Sequence, residues 1–473
     1  MACVDQRAPV PLVFLLCSMC ERSGKGGRTL YGAVRLARKP LDVYSPLVGD
    51  SCVEKIRQLA WPMRGARVLN LSATAFHTDA ADLLAATVPL MRDLGIDADW
   101  QVVRGTEACR VVNATLDRAL AGSTVYWTSQ MDRTWAKCSA MNASLFDQDY
   151  DFVVVHDPQP LGILAELRRM NSHHSHSHWI WHCHLDLTRA QPEVLRILHP
   201  HVEGFDVVVF QAENFFRPDL GAHRAAIIRP AVDPLGPRNM EVSSEAINCL
   251  LHSHGIDPRR PIISQFSSFD RWHDPLGTLQ AYRAAKHRVP DLQLVLVGQI
   301  NSSDHDGRIY FELLAEHAAA DPDIHIFSTL DHFGAVESNV IQRASSVVVQ
   351  RAMRKGFGFD LADAQWKGRA VVVGHDGLAP SHIADGVTGF LADDLETYSE
   401  KIVYCLLHPE EAERLGQAGR EHIRQHFLIT RYLVDQLKLF QSLATASYRE
   451  AVREIATQNL TPADQELLTV SKP

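Results

Sequence analysis

The chain has 473 residues, 46% of them hydrophobic and 22% charged, with a formal net charge of −9. This length exceeds what one hydrophobic core normally serves, so two or three domains are expected, in an ordinary soluble composition. The acidic balance argues against nucleic acid or an anionic membrane as a partner.

Nine cysteines are scattered along the chain, and Cys17-x-x-Cys20 has no second half that would complete a zinc site. Such a set suits reduced thiols and a cytoplasmic location. No apolar run approaches the roughly 20 residues that span a bilayer. The apolar stretch 9–20 follows Asp5 and a single Arg7, and no clean small-residue cleavage site follows it. It therefore reads as an N-terminal extension, 1–40, rather than a signal peptide.

The pattern changes near Gly65. Residues 66–71 (ARVLNL) read as a buried strand, 82–94 carry apolar residues at helical spacing, and 97–103 and 151–155 are further strands. Residues 205–210 (FDVVVF) and 226–228 continue the series. Three prolines and a glycine within 229–237 then mark a linker.

The alternation restarts beyond the linker. Strands are predicted at 261–266, 292–298, 324–327, 347–350 and 370–373, with helices at 274–287 and 310–320. A charged amphipathic helix follows over 410–427, then a last helix over 430–443. Strands that alternate with helices build βαβ units and parallel sheets. The fold class read from this is α/β, with two doubly wound Rossmann-like domains and ligands at the strand carboxyl ends, in the cleft between them.

Two segments invite chemistry. Gln350 to Gly368 holds Lys355-Gly356-Phe357-Gly358 and Asp363 between a β-branched run and a short helix. Backbone N–H groups at such a helix start can face an anion. The run His173-His174-Ser175-His176-Ser177-His178 reads as a solvated loop, because zinc sites want ligands at set spacing on ordered backbone.

Several strings, taken in order, carry a family resemblance. They are His156-Asp157-Pro158-Gln159-Pro160, Trp181-His182-Cys183-His184-Leu185-Asp186, Phe269-Asp270-Arg271-Trp272 with Asp274-Pro275, the stretch 292–298, the Gly356 loop, and Phe427-Leu428-Ile429-Thr430-Arg431-Tyr432. Together they resemble the trehalose glycosyltransferring synthase and trehalose phosphorylase group, retaining glycosyltransferases of the GT-B fold, over 41–443. The resemblance implies an N-terminal acceptor domain (41–235), a C-terminal nucleotide-sugar donor domain (236–427), a helix crossing back to the first domain (428–445) and a polar tail (446–473). It implies a nucleoside-diphosphate sugar as substrate, with GDP or UDP expected, a small-molecule acceptor, no further cofactor and no catalytic metal. A homodimer is compatible with it.

The resemblance also assigns residues. His156 lies near the donor sugar and is the catalytic candidate together with Lys355. Gly356, Phe357, Gly358 and Asp363 contact the donor, with Asp363 at the ribose hydroxyls. Ser268 and His273 stand where the family has Arg and Lys around the diphosphate, and Arg271 lies beside them. His77, Thr78 and Asp79 occupy a family run of three glycines. His184, Asp186 and His182, an arginine in the family, are expected on the acceptor side. Lys355 replaces a glutamate; it cannot accept a hydrogen bond from a sugar hydroxyl and instead brings a cation toward the phosphates.

Substituted sugar contacts fit a nonstandard donor sugar. The expected function is therefore glycosyl transfer giving an O-, N- or S-linked product, in specialised metabolism. Two alternatives stay open: a non-catalytic GT-B protein acting as a partner or sensor, and trehalose synthesis from nucleoside-diphosphate glucose and glucose.

Overall fold

The structure, a computed structural model, describes residues 32–458 apart from 77, 222, 271, 301–304, 330–332, 352–356 and 376–381. Its frame is two sheets. The first contains β1 (Gly32–Ala33), β2 (Arg67–Ser72), β3 (Asp97–Val102), β4 (Phe152–Val155), β5 (His178–His182), β6 (Val207–Phe210) and β7 (Ala225–Ile227) in the order β1-β3-β2-β4-β5-β6-β7. Only the short β1 runs antiparallel to its neighbour. The second contains β8 (Ile262–Ser268), β9 (Gln293–Gln299), β10 (Ile324–Ser328), β11 (Val347–Gln350), β12 (Ala370–Gly374) and β13 (Phe390–Ala392) in the order β10-β9-β8-β11-β12-β13, all parallel.

The strands form where β-branched residues are covered on both faces. The runs FVVV, VVVF and VVVQ of β4, β6 and β11 are buried at every position, as interior strands of helix-covered parallel sheets require. In each sheet the strand order reverses beside an early strand, between β2 and β4 and between β8 and β11. A doubly wound sheet opens a crevice at that reversal.

Strand β5 was not predicted. Its sequence HWIWH has histidines at both ends, yet Trp179, Ile180 and Trp181 are fully buried. The helix predicted from 82 starts earlier, at Asp79, because the Thr78 side chain accepts from the Ala81 N–H and caps it.

The last helix, Ile429–Gln458, packs on helices Asp50–Ala60 and Asp79–Asp93 of the first half. Gln441 donates to the Leu59 carbonyl at 2.6 Å, and the Phe440 and Phe152 rings lie 4.8 Å apart. The chain passes between the halves twice, at Val232 and at Leu428. The passages are hydrogen bonded, Val232 N–H to the Phe427 carbonyl at 2.7 Å and Ile429 N–H to the Val232 carbonyl at 2.9 Å.

Cys109 and Cys138 form a disulfide, with Cα atoms 6.4 Å apart, between helices Glu107–Leu120 and Ser129–Ala143. This corrects the expectation of free thiols throughout; Cys52, Cys183, Cys249 and Cys405 are free. The pair Cys17 and Cys20 lies outside the described residues. Among the described residues, no helix is long and apolar enough to cross a membrane.

Candidate functional site in the cleft

A cavity of about 520 Å³ opens between the halves. From the first half it is lined by Phe76, Thr78, Asp79 and Asp82, at the start of helix Asp79–Asp93. From the second half come Ser267 and Gly298 at the ends of β8 and β9, and Phe359, Asp360 and Asp363 of helix Phe359–Trp366. Two glycines are required by the geometry. A Cβ on Gly298 would fall 2.1 Å from the Phe269 ring, and Gly358, the N-cap of helix Phe359–Trp366, has φ 75°.

Arg238, the residue after the linker, organises the polar wall. Its Nε donates to Asp363 Oδ2 at 2.8 Å, its Nη2 pairs with Asp360, and its Nη1 lies 3.8 Å from Asp82. Asn239 Nδ2 donates to Asp363 Oδ1 at 2.6 Å. Below them the buried Lys367 donates to Asn239 Oδ1 at 2.8 Å, Gln342 Oε1 at 2.7 Å and the Asp363 carbonyl at 3.2 Å. Burial pushes the Lys367 ammonium down to about 7, against the opposing pull of Asp363. Its three acceptors nevertheless match the three donors of an ammonium.

The carboxylates respond in the other direction. Asp79 is raised to about 7 by burial within the cleft, then by Asp82 and Asp360. Asp82 is raised to about 6, mainly by burial. Both side chains still meet solvent, so these groups sit at a wet but crowded cavity wall. For Arg238, burial works against the charge, but Asp360, Asp363 and Asp82 outweigh it and raise the pKa well above normal.

A second polar group lies at the carboxyl ends of β4 and β5. His156 Nε2 is 3.0 Å from Asn70 Oδ1, His156 Nδ1 is 3.1 Å from His184 Nε2, and His184 Nδ1 is 3.3 Å from Gln211 Nε2. His182 Nδ1 is 3.1 Å from the Tyr432 hydroxyl of the last helix. Burial pushes all three imidazoles below their usual range, His184 to about 4.

The residues expected from sequence thus fall into separate places. Thr78 and Asp363 line the cavity, whereas His156, His182 and His184 form their own buried cluster outside its lining. Phe357 is buried against His382, their ring centroids 4.6 Å apart. Ser268 closes β8 opposite Gln299. His273 is buried, and its Nδ1 faces Asp270 Oδ1 at 2.9 Å. Asp186 accepts from the Thr188 N–H at 2.9 Å and hydroxyl at 2.7 Å, the capping turn of an Asx motif. His77, Arg271, Lys355 and Gly356 lie outside the described residues. Arg238, Asn239, Asp360 and Tyr432 were not singled out from sequence. Only the Pro- and Gly-rich linker around Arg238 hinted that a side chain there faces both domains.

Comparison with known proteins identifies the family and the fold. Residues 70–217 match the family described as "Trehalose synthase, N-terminal domain", and 250–422 match "Glycosyl transferases group 1". The chain is 33% identical over 408 residues to "Trehalose synthase" of Pyrococcus horikoshii, covering 86% of this chain and 97% of that protein. It is 35% identical over 406 residues to "Trehalose synthase" of Thermococcus litoralis, covering 85% and 97%. In fold it resembles the crystal structure of an α,α-trehalose 6-phosphate synthase from Burkholderia multivorans, with a TM-score of 0.62 at 16% identity, over 81% of this chain and 100% of that one.

Proposed function

The chain belongs to the trehalose synthase family of GT-B glycosyltransferases, and from that premise we propose that it moves a sugar other than glucose from a nucleoside-diphosphate donor to a small-molecule acceptor. The observation that carries this reading is the cavity wall at Thr78 and Asp79. Three glycines in the family pattern would leave backbone there. In this chain the Thr78 hydroxyl caps a helix and the Asp79 carboxylate lines the cavity. A wall of side chains takes volume from a hexose and adds charge, which changes which sugar fits.

The second half would hold the donor. Asp363 has given one lone pair to Arg238 and one to Asn239, and an ionised carboxylate has about four acceptor sites, so ribose hydroxyls can still be received. The start of helix Phe359–Trp366 offers its positive end to a leaving phosphate. His156, expected near the donor sugar, is kept a neutral imidazole by burial and stands behind the cavity, bonded to Asn70 and His184.

The test is direct. The full chain is incubated with UDP-, ADP- and GDP-glucose plus glucose, and trehalose is assayed; thermal unfolding is measured with UDP, GDP, ADP and dTDP. Absence of trehalose together with stabilisation by one nucleotide is the expected result. Trehalose formation would overturn it in favour of a second reading, trehalose synthesis, which draws its support from the 33% and 35% identity to proteins of that name across 97% of their length.

A further inference from the structure

We propose that Lys367 is a positioning residue for nucleoside recognition. Through Asn239 it holds the Asp363 carboxylate so that one lone pair on each oxygen is left for the cavity, and it thereby makes the chain select a ribose over a deoxyribose. The inference rests on the reading that the second half holds a nucleoside-diphosphate donor, and it adds the residue that sets the pentose of that donor.

Lys367 itself does not line the cavity. It directly follows helix Phe359–Trp366 and is buried. Its side chain turns back toward the helix and donates to the Asp363 carbonyl at 3.2 Å. Its other two bonds go to Asn239 Oδ1 at 2.8 Å and Gln342 Oε1 at 2.7 Å. An ammonium carries three donors and no acceptor, so all three are engaged.

That one-sidedness fixes the Asn239 amide. Facing a group that can only donate, Asn239 must turn its oxygen inward. Its Nδ2 then points the other way, donating to Asp363 Oδ1 at 2.6 Å and to the Asp233 carbonyl at 3.1 Å. The reverse sense would press an amide oxygen against a carboxylate oxygen, two acceptors with no proton between them. Asn239 and Gln342 are buried, so bulk water does not replace a lost partner there.

The backbone around Asn239 is braced from the same side. Arg343 Nη2, on helix Ala335–Ala344, donates to the Asn239 carbonyl at 2.8 Å, and Gln342 Nε2 donates to the Asp360 carbonyl at 3.0 Å. Lys367 therefore ties together the segment after the linker, helix Ala335–Ala344 and helix Phe359–Trp366. Asp363 receives Asn239 on Oδ1 and Arg238 on Oδ2. An ionised carboxylate has about four acceptor sites, which leaves one on each oxygen. Two acceptors on neighbouring oxygens match two hydroxyls on neighbouring carbons, the 2′ and 3′ positions of a ribose. A nucleoside lacking them leaves a buried acceptor unmatched, which is how a polar site rejects an analogue.

The test uses the full chain, titrated by calorimetry with UDP, GDP and ADP and with the 2′,3′-dideoxy form of each. The base that binds best is expected to prefer its ribose form by roughly 10–100-fold, the range of a hydrogen bond to a charged group. Lys367→Met, close in length and unable to donate, is expected to cut that preference to about threefold or less while the diphosphate still binds. Asn239→Ala leaves Lys367 its other two acceptors and is expected to give the same loss; it decides the matter if Lys367→Met does not fold. Gln342→Met disturbs the same buried cluster without breaking the line from Lys367 through Asn239 to Asp363, and is expected to keep the parent preference. Equal affinity of the parent for both pentoses, an unchanged preference in Lys367→Met and Asn239→Ala, or an equal loss in Gln342→Met overturns this inference and leaves the donor reading standing. A parent chain that binds none of the three nucleotides overturns the donor reading, and this inference with it.

Discussion

Arg238 Nε lies 2.8 Å from Asp363 Oδ2, so the residue that follows the linker holds the carboxylate expected to face the donor ribose. The same guanidinium reaches Asp360 on the helix and approaches Asp82 of the first domain. One cation thus serves carboxylates of both halves. Removing it leaves Asp363, 4% exposed, without its charge partner. Arg238→Ala is expected to destabilise the protein by about 2–3 kcal/mol, the lower side of what a broken buried pair costs because the guanidinium is one-fifth exposed. Denaturant unfolding checks this. A double-mutant cycle with Asp363→Asn should show the two losses to be non-additive.

Asp79 offers a prediction in pH. Its folded pKa is raised from 3.8 to about 7, first by burial, then by Asp82 and Asp360. A raised carboxylate stabilises fully below its unfolded pKa, and the contribution is lost as pH rises through the folded value. Stability should therefore decline from this source between about pH 4 and 7. Asp79→Asn should flatten that decline and leave a higher Tm than the parent at pH 8. Calorimetric scans across that range read the difference, and an unchanged slope would count against it.

The histidine cluster predicts the opposite trend. Burial lowers His184 from 6.5 to about 4. A depressed group contributes stability above its unfolded pKa and loses it as pH falls, here from about 6.5 through 4. The protein should therefore lose stability over that interval, and His184→Gln should lose less of it. Unfolding by urea at pH 7, 6, 5 and 4 makes the comparison.

The disulfide between Cys109 and Cys138 closes a segment with a sequence separation of 29. A loop of that size is worth about 2–4 kcal/mol through the unfolded chain. Thiol quantification under denaturing conditions should find two fewer free thiols before reduction than after it. Reduction should lower the urea midpoint by the corresponding amount, and Cys109→Ser should reproduce the loss without reductant.

Much of the architecture was legible because parallel strands buried on both faces are written in uninterrupted valine. β4, β6, β11 and β12 were read from such runs. β5 escaped because its buried indoles sit between histidines, and it needs the finished sheet to explain it. Within the site, Thr78 and Asp363 were assigned through the family resemblance, and both line the cavity. Arg238 was not, since its partners lie 122 and 125 residues away and no local spacing connects them. The Cys109–Cys138 bond was equally invisible, because helices Glu107–Leu120 and Ser129–Ala143 must pack before the two sulfurs meet.

The hydrogen-bonded passage of the chain at Val232 and Leu428 has a mechanical meaning. Both covalent crossings run through one narrow ribbon, beside the cavity wall at Asp233 and Ile429. Phe357, Phe359 and Trp366 of the second half pack into the core cluster of the first half beside this ribbon, so a relative motion of the halves would be a swing about that seam. The ribbon is thus an axle, and Arg238, reaching toward Asp82 on one side and Asp360 on the other, acts as a catch placed where the swing would part the walls. A large donor could enter by releasing that catch, with neither sheet disturbed.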